Sequence, residues 1–200
     1  MGACLPALAA GTPPTTRTIL VVGDSLSAEY GLKRGSGWVA LLEQRLRQQG
    51  KTIAVVNASI SGDTTSGGRS RLPPLLAQHQ PKLVVIELGG NDALRGLPLK
   101  TSQENLQVMV QACLGVRARV LLLGMQVPPN YGPEYGAQFA AMYASVAKAK
   151  GVALVPFFLK GVADVPQADT LFQSDRIHPL EAAHPTLLDN VWPTLSKMIA

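Results

Sequence analysis

Apolar residues fall into five short continuous runs: Thr18–Gly23 (TILVVG), Thr52–Asn57 (TIAVVN), Lys82–Leu88 (KLVVIEL), Arg119–Gly124 (RVLLLG) and Val152–Val155 (VALV). They are rich in Val, Ile and Leu and do not alternate with polar residues. That is the pattern of strands buried on both faces of a parallel sheet. Between the runs, apolar positions recur at helical spacing. Ser36–Gln49 sets Trp38, Leu41, Leu42 and Leu46 on one face, with the stem of Arg45, and stops at Gly50, a C-terminal cap signal. Leu72–His79 predicts a shorter helix whose Pro73 and Pro74 are tolerable only in a first turn. Thr101-Ser102-Gln103-Glu104 reads as a capping box ahead of Leu106, Met109, Val110 and Cys113. Phe139, Met142, Tyr143, Val146 and Ala147 mark a fourth helix. Leu187, Leu188, Val191, Trp192, Leu195, Met198 and Ile199 mark the last, with a kink or restart expected at Pro193.

Strands alternating with helices predict an α/β fold: a five-stranded parallel sheet with helices on both faces and right-handed crossovers. In such sheets functional residues gather beyond the carboxyl ends of the strands. No internal repeat or linker interrupts the pattern. Residues 18–200 are therefore assigned to one domain. Leu5-Pro6-Ala7-Leu8-Ala9-Ala10 reads as the end of a secretory apolar region with an A-x-A cleavage site, so residues 1–17 are assigned to a signal-peptide remnant or a disordered tail. No stretch is long enough to span a membrane.

Composition narrows the picture modestly. The net charge of +5 is scattered, no Lys/Arg run exceeds two, and no aromatic stripe accompanies it, so a nucleic-acid platform is not expected. Two cysteines, Cys4 and Cys113, are too few for a disulfide framework, and Cys113 falls on an apolar helix face as a buried thiol. No metal-ligand spacing is present, and no cofactor or metal is called for.

The chemistry lies in four short motifs. Ser25 follows the first strand in Gly23-Asp24-Ser25-Leu26-Ser27, where Asp24 can bond locally to hold the turn. Gly62 follows the second strand and can aim a backbone N–H at an anion. Asn91 follows the third in Gly89-Gly90-Asn91-Asp92 and offers a side-chain amide donor. Asp175 and His178 lie three residues apart in a late loop stopped by Pro179, which suits a base and the carboxylate that orients it. Each motif alone has a plain alternative as a capped turn or a loop glycine. A second such pair, Glu181 with His184, opens the last helix, where a surface role is the default. His79, at a helix end, is read as surface or packing. No G-x-G-x-x-G and no G-x-S-x-G is present.

Together, GDSLS at 23–27, VNASISGDT at 56–64, ELGGNDALRG at 87–96 and DRIHP at 175–179 closely resemble the SGNH, or GDSL, hydrolase family. Within it the chain is similar to the bacterial periplasmic acyl-CoA thioesterase I, lysophospholipase L1 and arylesterase group. The resemblance extends to Asn130-Tyr131-Gly132 and Val155-Pro156-Phe157-Phe158. It implies a three-layer α/β/α sandwich similar to flavodoxin. It also implies Ser25 as nucleophile, His178 as general base, Asp175 as its partner, and an oxyanion hole of Ser25, Gly62 and Asn91. The expected partners are small-molecule acyl esters or thioesters, lysophospholipid among them, met by a monomer that is periplasmic or secreted. Leu94, Leu97, Leu99, Tyr131 and Ile177 are expected to bind the acyl chain, with Met125, Val127, Pro128, Pro129 and Tyr135 walling the same groove; the alternative is that they pack the sheet edge. One departure stands out: members of the group commonly carry Gly where this chain has Arg176. Two competing readings are a carbohydrate O-deacetylase of the same family and a non-catalytic flavodoxin-like binding module. The first is disfavoured by an aromatic content of 5%, the second by the lack of a phosphate-cradling loop after the first strand.

Overall fold

A computed structural model describes residues 17–200. The segment read as a signal-peptide remnant, with Cys4, lies outside the described residues up to residue 16. Five parallel strands, β1 (Arg17–Gly23), β2 (Ile53–Asn57), β3 (Leu83–Glu87), β4 (Arg119–Leu123) and β5 (Ala153–Val155), form one sheet in the order β2-β1-β3-β4-β5. Register pairs Ile19 with Val55 on one side of β1 and with Leu83 on the other. The central strands β1, β3 and β4 are buried along nearly their whole length, whereas the edge strands β2 and β5 are mostly half-buried. The expectation of strands buried on both faces thus holds for the centre only, because an edge strand has a neighbour on one side.

Six helices cover the faces. On one face α1 (Trp38–Gln48) packs against α6 (His184–Met198). On the other, α2 (Thr65–His79), α4 (Leu99–Gly115) and α5 (Pro133–Lys150) pack side by side. The short α3 (Gly90–Leu94) follows β3 directly. Apolar side chains from both helical layers meet the sheet, and Trp38, Phe139 and Phe158 are fully buried there. Each buried aromatic of this size stabilises the fold by about 1.5–3 kcal/mol. Cys113 is a buried free thiol. Among the described residues no helix is long and apolar enough to cross a membrane.

Three helix boundaries differ from the sequence pattern. Helix α2 begins at Thr65 rather than Leu72, so Pro73 and Pro74 sit in its interior. Both prolines are exposed. Arg69 and Ser70, whose carbonyls lose their usual partner to the missing N–H groups, are exposed as well, so water can serve them and limit the cost. Helix α4 begins at Leu99, and the expected capping box does not form. Its first turn closes instead on the Pro98 carbonyl, and the hydroxyl of Ser102 is taken by buried Asp92 at 2.9 Å. Helix α6 runs through Pro193 without a restart, again with the proline exposed.

The strand order reverses between β1 and β3: one crossover leaves β1 for β2, and the next returns past β1 to β3. The loops after β1 and β3 therefore diverge to opposite sides and leave a crevice at the carboxyl end of the sheet.

Candidate active site

Ser25 lies in that crevice at the end of β1. Its turn is closed by Ala28 N–H donating to the Asp24 carbonyl at 2.9 Å, and the Asp24 carboxylate accepts from Leu26 N–H at 3.0 Å. The local bonding expected of Asp24 is thus present. Ser25 Oγ is 2.8 Å from His178 Nε2, and His178 Nδ1 is 2.6 Å from Asp175 Oδ2. With the carboxylate accepting at Nδ1–H, Nε2 is the free acceptor for the serine hydroxyl. The other Asp175 oxygen accepts from the N–H groups of Ile177 and His178 at 2.9 and 3.0 Å. Against a burial effect that raises it, the His178 ring and these two N–H groups hold the Asp175 carboxyl down at about 2. It is therefore an anion at any pH where a histidine can act as a base.

The late loop is fastened at several points. Gln173 N–H donates to the His178 carbonyl at 2.7 Å, and Leu180 N–H to the Leu171 carbonyl at 2.8 Å. The Gln173 side-chain amide donates to the carbonyls of Tyr30 and Pro179 at 3.0 and 3.3 Å. Tyr30 in turn lays its ring over the imidazole of His178, with centroids 4.3 Å apart. Arg176 occupies a left-handed conformation, φ 57, which is the physical reason Gly suits this position.

Gly62 and Asn91 lie in the segments that follow β2 and β3, the strands on either side of β1. Gly62 adopts φ 78, and Arg95 fixes its carbonyl with a 2.7 Å hydrogen bond. Among the described residues neither the Ser25 nor the Gly62 N–H donates a hydrogen bond, so both are free for a ligand atom. Asn91 stands at the start of α3, after a sharp turn at Gly89. There φ is 121, and an added Cβ would lie 2.3 Å from the Tyr143 hydroxyl. The Asn91 amide donates to Asp24 Oδ2 at 3.0 Å, which engages one of its two hydrogens. Buried Asp92 ties the Asn91 and Gly62 segments together: it accepts from Thr65 N–H at 2.9 Å and from Thr65 Oγ1 at 2.5 Å. Arg71 adds a second tie through Asp63 at 2.6 Å, the Gly23 carbonyl at 3.2 Å, and the Ala58 carbonyl.

A cavity of about 610 Å³ opens beside Ser25 and His178. Leu94, Tyr131 and Ile177 line it, together with Met125, Val127, Pro128 and Pro129. Leu97 and Leu99 do not. Leu97 points to solvent and Leu99, the first residue of α4, packs half-buried against the core. Tyr135 is also off the lining and stacks between Tyr131 and Phe139. A smaller cavity of about 370 Å³ lies at the other end of the sheet, among Arg17, Lys82, Arg117 and Arg119, away from this chemistry.

His184 is not a surface residue. It is 2% exposed, and its Nδ1 accepts the N–H of Trp38 at 3.1 Å, which caps the first turn of α1. Burial lowers its pKa, so it is held neutral. The sequence pattern also missed Tyr30, Gln173 and Glu87. The first two are seen only when the loops after β1 and β5 meet; Glu87 shows in sequence as the one acid inside an apolar strand.

A strand-end serine bonded to a histidine–carboxylate pair, beside free N–H donors and an apolar cavity, on a doubly wound parallel sheet, defines an ester-hydrolysing enzyme. Comparison with known proteins makes the class specific. Residues 21–185 match the GDSL-like Lipase/Acylhydrolase family, and the chain belongs to it. It is 52% identical over 199 residues to Esterase TesA of Pseudomonas aeruginosa, covering 100% of this chain and 98% of that one. It is 45% identical over 182 residues to Thioesterase 1/protease 1/lysophospholipase L1 of Escherichia coli K12, covering 91% and 85%. Among solved structures, that of the psychrotrophic esterase EstA from Pseudoalteromonas sp., inhibited by monoethylphosphonate, superposes with a TM-score of 0.84 at 39% identity, covering 90% of this chain and 97% of that one.

Proposed function

We propose that this hydrolase cleaves carboxylic esters and thioesters of medium and long acyl chains through an acyl-enzyme on Ser25. The observation that carries the reading is the 2.8 Å contact between Ser25 Oγ and His178 Nε2, with Asp175 on the other ring nitrogen. Ser25 Oγ attacks the acyl carbonyl as His178 takes its proton. The tetrahedral oxyanion is held by the N–H groups of Ser25 and Gly62 and by the Asn91 amide. His178 then protonates the leaving alcohol or thiol, and water repeats the sequence on the acyl-enzyme. Asp175, an anion throughout, keeps the ring in the tautomer that accepts at Nε2 and stabilises the imidazolium.

The cavity supports an acyl rather than a sugar specificity. A cavity of about 610 Å³ whose lining includes Leu94, Met125, Val127, Pro128, Tyr131 and Phe139, with Asp164, Asp169 and Arg176 also on it, suits an alkyl chain. The names of the relatives, esterase, arylesterase and thioesterase with lysophospholipase, support the same range of leaving groups. Triad and cavity both come from residues 18–200 of one chain, which supports a single catalytic domain acting as a monomer. The Leu5–Ala10 sequence supports export to the periplasm or beyond.

The test is hydrolysis of p-nitrophenyl esters from acetyl to palmitoyl beside palmitoyl-CoA, with Ser25→Ala as control. Activity on medium or long chains that vanishes in the variant is the expected result. Activity confined to acetyl would instead point to a deacetylase, and activity that survives Ser25→Ala would remove the serine from the scheme.

A further inference from the structure

Beneath the nucleophile turn two carboxyl groups meet. Glu87 ends β3 and is fully buried; Asp24 follows β1 and is 2% exposed. Glu87 Oε2 accepts from Ser27 Oγ at 2.8 Å and from Asp24 N–H at 3.3 Å. The Asp24 backbone N–H thus ties the two residues together, and the second Glu87 oxygen, Oε1, is buried with no partner among the described residues. Two ionised carboxylates buried this close repel, and neither has a donor to offer, so the charge is relieved when one of them carries a proton.

The surroundings decide which group keeps it. Asp24 is provided for as an anion: Oδ1 accepts Leu26 N–H and Oδ2 accepts the Asn91 amide. Glu87 is not: its Oε1 is buried without a partner among the described residues. Besides Asp24, the titratable groups whose charge bears on the pair are His178 of the triad loop and Tyr143 of α5, whose hydroxyl donates to the carbonyl of Leu88 next to Glu87 at 3.0 Å. The Arg71 guanidinium of α2 reaches the same turn at the Gly23 carbonyl, 3.2 Å away, where it is paired with Asp63. Burial, and then the charge of Asp24, push Glu87 well above the usual carboxylate range; Asp24 is raised by burial to about 6, with Leu26 N–H and Asn91 holding it lower.

We propose that Glu87 is a positioning residue for the oxyanion hole: a neutral acid whose O–H donates to Asp24, which in turn aims the Asn91 amide. A connected series of hydrogen bonds then runs from Trp38 Nε1 through Ser27 and Glu87 to Asp24 and Asn91. It joins α1, β1, β3 and α3 beneath the reacting atoms. The inference rests on Asn91 acting as an oxyanion donor, as proposed above.

The test compares Glu87→Gln with Glu87→Ala. Glutamine keeps a donor for Asp24 and an acceptor for Ser27, without charge; alanine removes both. Glu87→Gln should keep kcat within roughly threefold, the scale of one exchanged hydrogen bond. Glu87→Ala should lower kcat by roughly 10- to 100-fold at unchanged KM, the effect of a donor displaced by a fraction of an ångström to an ångström. Infrared difference spectra at pH 8 should show the carbonyl stretch of a protonated carboxylic acid in the wild type that is absent from Glu87→Gln. Full kcat in Glu87→Ala, equal damage in both variants, or no such band would each overturn the proposal. The band and Glu87→Gln decide it even where Glu87→Ala does not fold. Activity that survives Ser25→Ala would count against the serine mechanism, whereas the infrared band tests the proton on Glu87 separately.

Discussion

Replacing Arg176 by Gly should stabilise the protein while leaving its chemistry intact. Arg176 sits at φ 57 between Asp175 and His178. In that region a Cβ crowds the following carbonyl and costs about 1–2 kcal/mol. Gly removes this cost but gives the unfolded chain back about 0.5–1 kcal/mol of conformational freedom. The side chain contributes little against this. Its guanidinium lies 3.8 Å from Asp169, and the two side chains are 77% and 79% exposed, so the ion pair falls at the low end of the usual 0–1 kcal/mol, about zero. The balance is a gain of about 0.5–1 kcal/mol, which in a domain of this size raises Tm by roughly 1–4 °C. Calorimetry and a urea titration at pH 7 would read it, with an unchanged m-value as the check that only stability moved. Turnover of p-nitrophenyl butyrate should be preserved, because the contacts between Asp175 and His178 run from the His178 ring and backbone N–H to the Asp175 carboxylate and use no atom of the Arg176 side chain. A lower Tm, or a tenfold loss of turnover, would refute the argument: the Arg176 side chain would then be holding the loop.

Three further outcomes are expected. Asn91→Ala should lower kcat by roughly two to three orders of magnitude with little change in KM, as for loss of one oxyanion donor; steady-state kinetics check it. His184→Ala should cost about 1–3 kcal/mol, because the buried Trp38 N–H loses its acceptor. Burial holds the folded His184 below its ordinary 6.5, so as pH falls through that value the unfolded chain takes up a proton that the folded one refuses. Wild-type stability should therefore decline in acid, and the alanine variant should lose that part of the decline, read by urea titrations at pH 5 and 8. Val127→Trp, which fills the cavity lining, should depress hydrolysis of a dodecanoyl ester relative to a butyryl ester, measured as the ratio of their kcat/KM values.

Much of the architecture was legible because buried parallel strands leave an unbroken apolar signature. All five runs became strands within a residue or two of the predicted ends, and Ser25, Gly62 and Asn91 follow the ends of β1, β2 and β3, with Asp175 and His178 in the late loop. What escaped was decided by tertiary contact. Pro73 and Pro74 read as a helix start, but solvent on their side of α2 lets the helix pass through them. Thr101–Glu104 has the spelling of a cap, but Asp92, brought in by α3, claims the Ser102 hydroxyl. Glu181 and His184 repeat the spelling of the triad pair, yet His184 turns inward to α1. Leu97 and Leu99 were grouped with Leu94 by proximity in sequence, whereas the turn after α3 carries them off the cavity. Glu87 was visible as an acid within an apolar run, but its partner Asp24 is 63 residues away, and no spacing rule connects them.

The central claim is that Ser25 forms the covalent acyl intermediate. Its most direct test is to incubate the protein with a p-nitrophenyl alkylphosphonate, quantify the p-nitrophenol released, and map the adduct by peptide mass spectrometry. One equivalent released, an adduct on Ser25, parallel loss of esterase activity and no labelling of Ser25→Ala are the predicted results. An adduct on another residue, or ester hydrolysis that persists after complete labelling of Ser25, would contradict the account.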